Sequence, residues 1–185
     1  MEHKGTVTLE TERLILRKFT ENDAEAVYRN WACDDEVTKY LTWQAHQSVE
    51  SSLGYMKFCL EQYESPDAYH WAMVLKGTDE PFGDISVVHL HENVDAAEIG
   101  YAIGRKYWGN GYTAEALKAV IEFLFEEVGV NCVSARHDVN NPNSGKVMRK
   151  AGMTYEGTLR QSGRNNQGIV DCACYSILRS EYKGK

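Results

Sequence analysis

Gly109 and Gly111 stand in the run Tyr107-Trp108-Gly109-Asn110-Gly111-Tyr112-Thr113, between a strand-like stretch over 97–103 and a helical stretch over 114–128. A glycine turn at such a junction lets backbone N–H groups converge on one point, and the helix N-terminus adds partial positive charge there. That chemistry suits a phosphate or pyrophosphate. Two nucleotide patterns fit poorly. A P-loop needs Lys-Ser or Lys-Thr after its second glycine, where this chain has Tyr112-Thr113. A dinucleotide fingerprint belongs near a first strand, with an acidic residue ending the next; here the spacing Gly109-x-Gly111-x-x-Ala114 falls late in the chain. Two more groups able to do chemistry flank the turn. Glu98 lies on the strand before it, and Asn141-Pro142-Asn143-Ser144 lies between a later strand and helix.

The elements that must position these groups follow from periodicity. Leu14, Leu16 and Phe19 against Ile15, Arg17 and Lys18 predict an opening strand with one buried face. Thr20 ahead of Glu21-Asn22-Asp23 marks a helix start, and Ala24, Val27, Tyr28 and Trp31 recur at helical spacing. Helices are expected over 36–41 and 49–63, with Pro66 closing the region. Strands follow over 69–75, 82–91 and 96–103, then a helix over 114–128, a strand over 132–139 and a helix over 143–151. The segments 153–161 and 169–178 read as a hairpin around Arg164-Asn165-Asn166-Gln167-Gly168. The order predicts one mixed α/β domain over 1–185, with a largely antiparallel twisted sheet flanked by helices.

Composition sets the class. With 185 residues, 43% hydrophobic and 25% charged, the chain can bury a sizeable core. A net charge of −7 disfavours nucleic acid and anionic membranes as partners. Cys33, Cys59, Cys132, Cys172 and Cys174 are odd in number and contain no C-x-x-C, so buried thiols in a reducing cytoplasm are expected. Met1-Glu2-His3-Lys4-Gly5 lacks the pattern of a secretory leader, and no apolar run is long enough to span a bilayer. His89 and His91 share a strand face without a third ligand, so no metal site is expected.

In order and spacing, several segments together resemble the GNAT superfamily of N-acetyltransferases, in particular the ribosomal-protein alanine N-acetyltransferase branch. They are Thr11-Glu12-Arg13-Leu14-Ile15-Leu16-Arg17, Ala97-Glu98-Ile99-Gly100-Tyr101, the glycine turn with Glu115-Ala116, Asn141-x-x-Ser144 with Lys150-Ala151-Gly152-Met153, and Asp171-x-x-x-Tyr175. The superfamily's turn reads Arg/Gln-x-x-Gly-x-Gly/Ala; here Trp108, Gly111 and Thr113 take the first, fourth and sixth positions, and the Thr113 hydroxyl adds a possible phosphate donor. The resemblance implies the GNAT fold, with a splay between the strands over 96–103 and 132–139, the fourth and fifth of those expected. It implies acetyl-CoA as co-substrate and no metal. The pyrophosphate would meet Trp108, Gly109, Asn110, Gly111, Tyr112, Thr113 and Ala114. The pantetheine amides would meet the backbone of Tyr101, Ala102 and Ile103, and the thioester end would approach Asn141 and Ser144.

The implied reaction needs a neutral amine, an oxyanion donor and a proton for the departing thiolate. Deprotonation at pH 7 costs about 1 kcal/mol for an α-amine and roughly 4–5 kcal/mol for a lysine, so one carboxylate acting through water suffices only for the first. Glu98 is the candidate base, Ser144 the first candidate acid and Tyr155 the second, with a backbone N–H near Tyr101 to Ile103 holding the oxyanion. Each has a structural reading beside the chemical one. Glu98 is also a solvated or salt-bridged strand carboxylate, Asn141 an N-cap before a helix-start proline, and Ser144 a partner for a first-turn N–H. Tyr155 is also packing or acceptor wall, Trp108 a packing anchor, and His137 a satisfied structural histidine. The expected acceptor is a primary amine, by branch the α-amine of a protein N-terminus. The alternatives are a small-molecule acetyltransferase for a polyamine or antibiotic, and a non-catalytic acyl-CoA-binding module. Oligomeric state stays open, a homodimer included.

Overall fold

The computed structural model describes residues 1–182. Among these, eight strands form one sheet: β1 (Leu9–Glu10), β2 (Leu14–Arg17), β3 (His70–Leu75), β4 (Pro81–His91), β5 (Ala96–Ile103), β6 (Cys132–Asp138), β7 (Thr154–Asn165) and β8 (Gly168–Leu178). They lie in the order β1-β2-β3-β4-β5-β6-β8-β7, antiparallel throughout except at β5–β6. The helices are α1 (Ala24–Val27), α2 (Asp35–Thr38), α3 (Val49–Gln62), α4 (Tyr112–Phe123) and α5 (Pro142–Lys150).

The side-chain period of two assigns the faces. On β3, Trp71 and Met73 pack with Leu117, Val120 and Ile121 of α4, while Ala72 between them packs with Val27 of α1 and Met56 of α3. The sheet is therefore covered on both sides, which is why β3 reads as a nearly unbroken apolar run. On β2, Leu14 and Leu16 are fully buried and Ile15 and Arg17 are not, as alternation predicts. Burying a Leu, Ile or Phe side chain of this kind stabilises by about 1.5–3 kcal/mol each.

Several boundaries differ from expectation. Thr20 and Asp23 form a capping box at the predicted helix start, but a short 3-10 turn precedes α1 and a π turn (Tyr28–Ala32) follows it. The helix expected over 36–41 ends at Thr38, leaving an irregular loop before α3. The helix expected over 114–128 starts at Tyr112 and passes into a π turn (Leu124–Val128), closed by Gly129 at φ 80. The strand expected over 153–161 runs on to Asn165. β1 is too short to show a period and was not expected. Among the thiols, Cys59 and Cys172 are buried but Cys33 is exposed.

The splay lies where it was predicted. β5 and β6 pair at Ala96↔Cys132, Ala97↔Val133 and Glu98↔Ser134, and no further. Both strands then continue, β5 to Ile103 and β6 to Asp138, with no ladder between them. Beside this fork β4 carries an irregularity between Val87 and His89, opposite Ile99 and Glu98. The extra residue, Val88, bends β4 and increases the local twist beside the fork.

Candidate active site

A cleft of about 310 Å³ occupies the fork. Its walls come from both faces of the sheet. Val37, Tyr40 and Leu41 line it from α2 and the turn after it, and Asn143, Ser144, Val147 and Lys150 line it from α5. Of the twelve residues that the resemblance assigned to the co-substrate, eleven line this cleft. Tyr101, Ala102 and Ile103 come from β5, Asn141 and Ser144 from the β6–α5 junction, and Trp108, Gly109, Gly111, Tyr112, Thr113 and Ala114 from the turn and the start of α4.

The exception is Asn110. Its side-chain amide donates to the carbonyls of Tyr107 and Trp108 at 3.1 and 3.2 Å, and its carbonyl accepts from Arg13 at 3.1 Å. Asn110 braces the turn from behind.

Gly109 and Gly111 have φ of 80 and 79, Gly111 as the N-cap of α4. A residue with a Cβ pays about 1–2 kcal/mol for that conformation. The first intrahelical donor is Glu115, whose N–H bonds Gly111 O at 3.1 Å. The amides of Tyr112, Thr113 and Ala114 precede it and have no intrahelical partner, the geometry of an anion site. Thr113 is buried and lines the cleft. Trp108 donates its indole N–H to Ile103 O at 2.9 Å and leaves its ring 47% exposed at the mouth, so it is an anchor of the turn as well as a wall.

The turn is fastened from the other end of the chain. Glu115 accepts from Thr11 Oγ1 at 2.6 Å, from Arg13 N–H at 2.9 Å and from Arg13 Nε at 2.7 Å. The Arg13 guanidinium also lies over the Tyr112 ring, 4.5 Å from its centroid. Burial acts against the ionised Glu115, but these partners outweigh it and hold the carboxyl below its ordinary range. The Thr11-x-Arg13 motif, whose task is not readable from sequence, is thus a brace for the phosphate turn.

At the inner end Ser144 Oγ is 3.0 Å from the Tyr101 hydroxyl, which also donates to Ser144 O at 3.1 Å. Ser144 therefore meets the phenol of half-buried Tyr101, not the backbone N–H that its structural reading required. Burial pushes the Tyr101 phenol well above its ordinary pKa, against the Ser144 hydrogen bond, so it keeps its proton; that proton goes to Ser144 O, and the Ser144 hydroxyl donates to Tyr101 Oη. Asn141 is the N-cap of α5 with Pro142 next, but its side chain makes no capping bond, and the residue lines the cleft. His137 donates from Nδ1 to Asp138 O at 2.7 Å and stacks on Tyr175, ring centroids 5.7 Å apart. A Cβ at position 145 would lie 2.5 Å from His137 Nε2, so Gly145 lets α5 close onto β6.

Glu98 and Tyr155 lie outside the cleft lining. Glu98 ends the β5–β6 ladder, at the vertex of the fork, on the face opposite Ala97 and Ile99. Its Oε1 is 2.9 Å from Arg136 Nε, the salt-bridged one of the two structural readings. Tyr155 is 51% exposed, its ring 5.4 Å from that of Tyr175 and its hydroxyl 2.7 Å from Thr158 Oγ1.

The model of the GNAT acetyltransferase domain matches residues 13–154. The chain belongs to this family. It is 30% identical to the uncharacterised N-acetyltransferase p20 of Bacillus licheniformis, over 96% of this chain and 99% of that one. It is 24% identical to the ribosomal-protein-serine acetyltransferase of Escherichia coli, over 91% of this chain and 94% of that one. Its fold matches the crystal structure of the microcin C7 self-immunity acetyltransferase MccE in complex with acetyl-CoA and AMP, at a TM-score of 0.80 and 20% identity, over 91% of this chain and 93% of that one. The protein is thus an acetyl-transfer enzyme of GNAT fold, and its relatives include ribosomal-protein acetyltransferases. No helix among the described residues is long and apolar enough to cross a membrane.

Some lining residues escaped the sequence reading. Asn143, Lys146, Val147 and Lys150 recur at helical spacing after Asn141, a face that could have been projected from the Asn141-x-x-Ser144 motif. Lys146 and Lys150 place positive charge on the cleft of an acidic chain. Tyr40 and Leu41 had no signal, because they lie in a loop where a helix was expected.

Proposed function

We propose that this enzyme moves acetyl from acetyl-CoA to the α-amine of a protein N-terminus. The observation that carries the proposal is the fork between β5 and β6, which opens at one end onto three free amides of α4 and at the other onto Ser144 and Tyr101. Unpaired strand edges suit an extended ligand bearing amides, and the free amides with Lys146 and Lys150 suit its phosphates. Acetyl-CoA, when bound, supplies the activated thioester carbonyl; the residues here orient it and manage its protons.

In this proposal the Ser144 hydroxyl turns from Tyr101 Oη to the departing sulfur, gives it a proton as the C–S bond breaks, and regains one from water. Glu98 accepts the amine proton through water from the opposite face, held by Arg136. A free amide on the unpaired edge of β5 stabilises the oxyanion. One carboxylate through water matches the modest demand of an α-amine. The likeness to a relative named for a ribosomal protein supports this acceptor. The test is thiol release from acetyl-CoA across N-terminal peptides, polyamines and aminoglycosides. Turnover is expected with the peptides. Turnover confined to small amines would replace the acceptor, and none with any amine would refute the proposal.

A further inference from the structure

The β7–β8 hairpin ends in a tip whose two asparagines reach both walls of the cleft. Asn166 makes three hydrogen bonds to one loop far away in sequence. Its backbone N–H donates to Leu41 O at 3.1 Å. Its side-chain amide donates to Thr38 O and to Trp43 O, both at 2.8 Å. These carbonyls span the irregular segment that replaces the expected helix end, and Tyr40 and Leu41 of that segment line the cleft.

The neighbouring residue faces the other way. Asn165 Nδ2 donates to Asp138 Oδ2 at 2.8 Å, and its Oδ1 accepts from Gln167 N–H at 2.8 Å, which fixes the turn. Asp138 is buried, and its other oxygen accepts from Asn140 N–H at 2.8 Å. Its carbonyl accepts from Asn141 N–H at 2.8 Å, at the head of the loop carrying Ser144. A polar chain therefore runs from the Ser144 wall through Asp138, Asn165 and Asn166 to the Tyr40–Leu41 wall.

We propose that the Asn165–Asn166 tip is a strap that holds segment 38–43 as the outer wall of the acceptor opening, and that Asn166 is a specificity-determining positioning residue. This rests on the acetyl-transfer function proposed above. A loop with no regular ladder has many conformations, and three donors on its carbonyls select one. Held in that conformation, Tyr40 and Leu41 wall the cleft on the side facing α5, so a small first side chain on the acceptor passes them and a bulky one meets them. The strap bears on the acceptor wall; the phosphate turn is fastened separately through Arg13 and Glu115.

Two variants test this. Asn166→Ala removes two donors and keeps the backbone N–H. Asn166→Asp keeps the shape but faces two carbonyls with acceptors only, which is worse than removal. Acceptor KM, acetyl-CoA KM, kcat and Tm are measured with peptides beginning in small and in bulky residues. The acceptor KM for small-first peptides should rise about tenfold in Asn166→Ala and further in Asn166→Asp. Preference for small over bulky first residues should fall in both, with acetyl-CoA KM within about twofold of wild type, as its phosphate turn is braced by Arg13 and Glu115. A lowered Tm with unchanged acceptor KM and unchanged preference would make Asn166 a purely structural residue and overturn the inference. An equal rise in both KM values would also overturn it. Failure of the underlying function shows separately, in the wild-type arm, as no turnover of any amine.

Discussion

Glu98 and Ser144 stand on opposite faces of the fork, and each has a neighbour that defines how its role is tested. If Glu98 is the base, Glu98→Gln lowers kcat by about 10²–10⁴-fold and leaves acetyl-CoA affinity nearly intact. Full activity of that variant from pH 6 to 9 would reduce Glu98 to the structural partner of Arg136, 2.9 Å away. Ser144 calls for a smaller effect, because a thiol with pKa of about 8.5 is a fair leaving group; Ser144→Ala should lower kcat about tenfold with little change in Tm. Tyr101→Phe removes the phenol 3.0 Å from Ser144 Oγ and should lower kcat in the same direction. If Ser144→Ala loses stability and keeps its kcat, the serine serves only to hold α5 to β5, and Tyr155 becomes the next candidate for the acid.

At the scale of elements, the turn before α4 depends on a strand from the start of the chain. Glu115 and Arg13 are joined by an ion pair at 2.6 Å and by the bond to Arg13 N–H at 2.9 Å. Arg13→Ala should weaken acetyl-CoA binding severalfold by calorimetry without changing kcat at saturation, since the turn holds phosphates and not the reacting atoms. A changed kcat with unchanged affinity would separate Arg13 from the turn's function. Gly111→Glu should abolish binding outright, through both the φ of 79 and the anion it brings. The elements differ in how legible they were. The fork was expected from the family resemblance, whose segments with Glu98, the glycine turn and Asn141-x-x-Ser144 stand in order on successive elements. The brace was not, because Thr11, Arg13 and Glu115 meet only after β2 and α4 pack. Tyr40 and Leu41 were hidden for a related reason: Asn166, not local propensity, holds their loop. Asn110 does not line the cleft, because a motif gives position but not direction, and its side chain turns inward on the turn.

Across the whole molecule, the two cores differ in polarity. The face beneath α1 and α3 carries a buried polar group in which His70 Nε2 lies 2.7 Å from Tyr55 Oη and 3.1 Å from Asp84 Oδ2. Burial alone would lower the His70 pKa, but Asp84 and Cys59 outweigh it and raise it to about 9. A raised histidine contributes stability that is fully present below its unfolded pKa of about 6.5 and is lost as pH climbs through about 9, roughly 3 kcal/mol at most. Tm should therefore fall more steeply above pH 8 in the wild type than in His70→Gln; parallel curves would show that His70 is neutral in the fold. This stabilising group sits apart from the cleft, so chemistry and stability should respond differently to pH. The central claim is transfer to an α-amine in the fork, and one peptide tests it. The peptide carries a small first residue, a free α-amine and an internal lysine, and is incubated with enzyme and acetyl-CoA at pH 7. Fragment mass spectrometry then locates the acetyl group. Acetylation at the α-amine, with the lysine unmodified, is the predicted result; acetyl on the lysine, or on neither amine, would contradict the account.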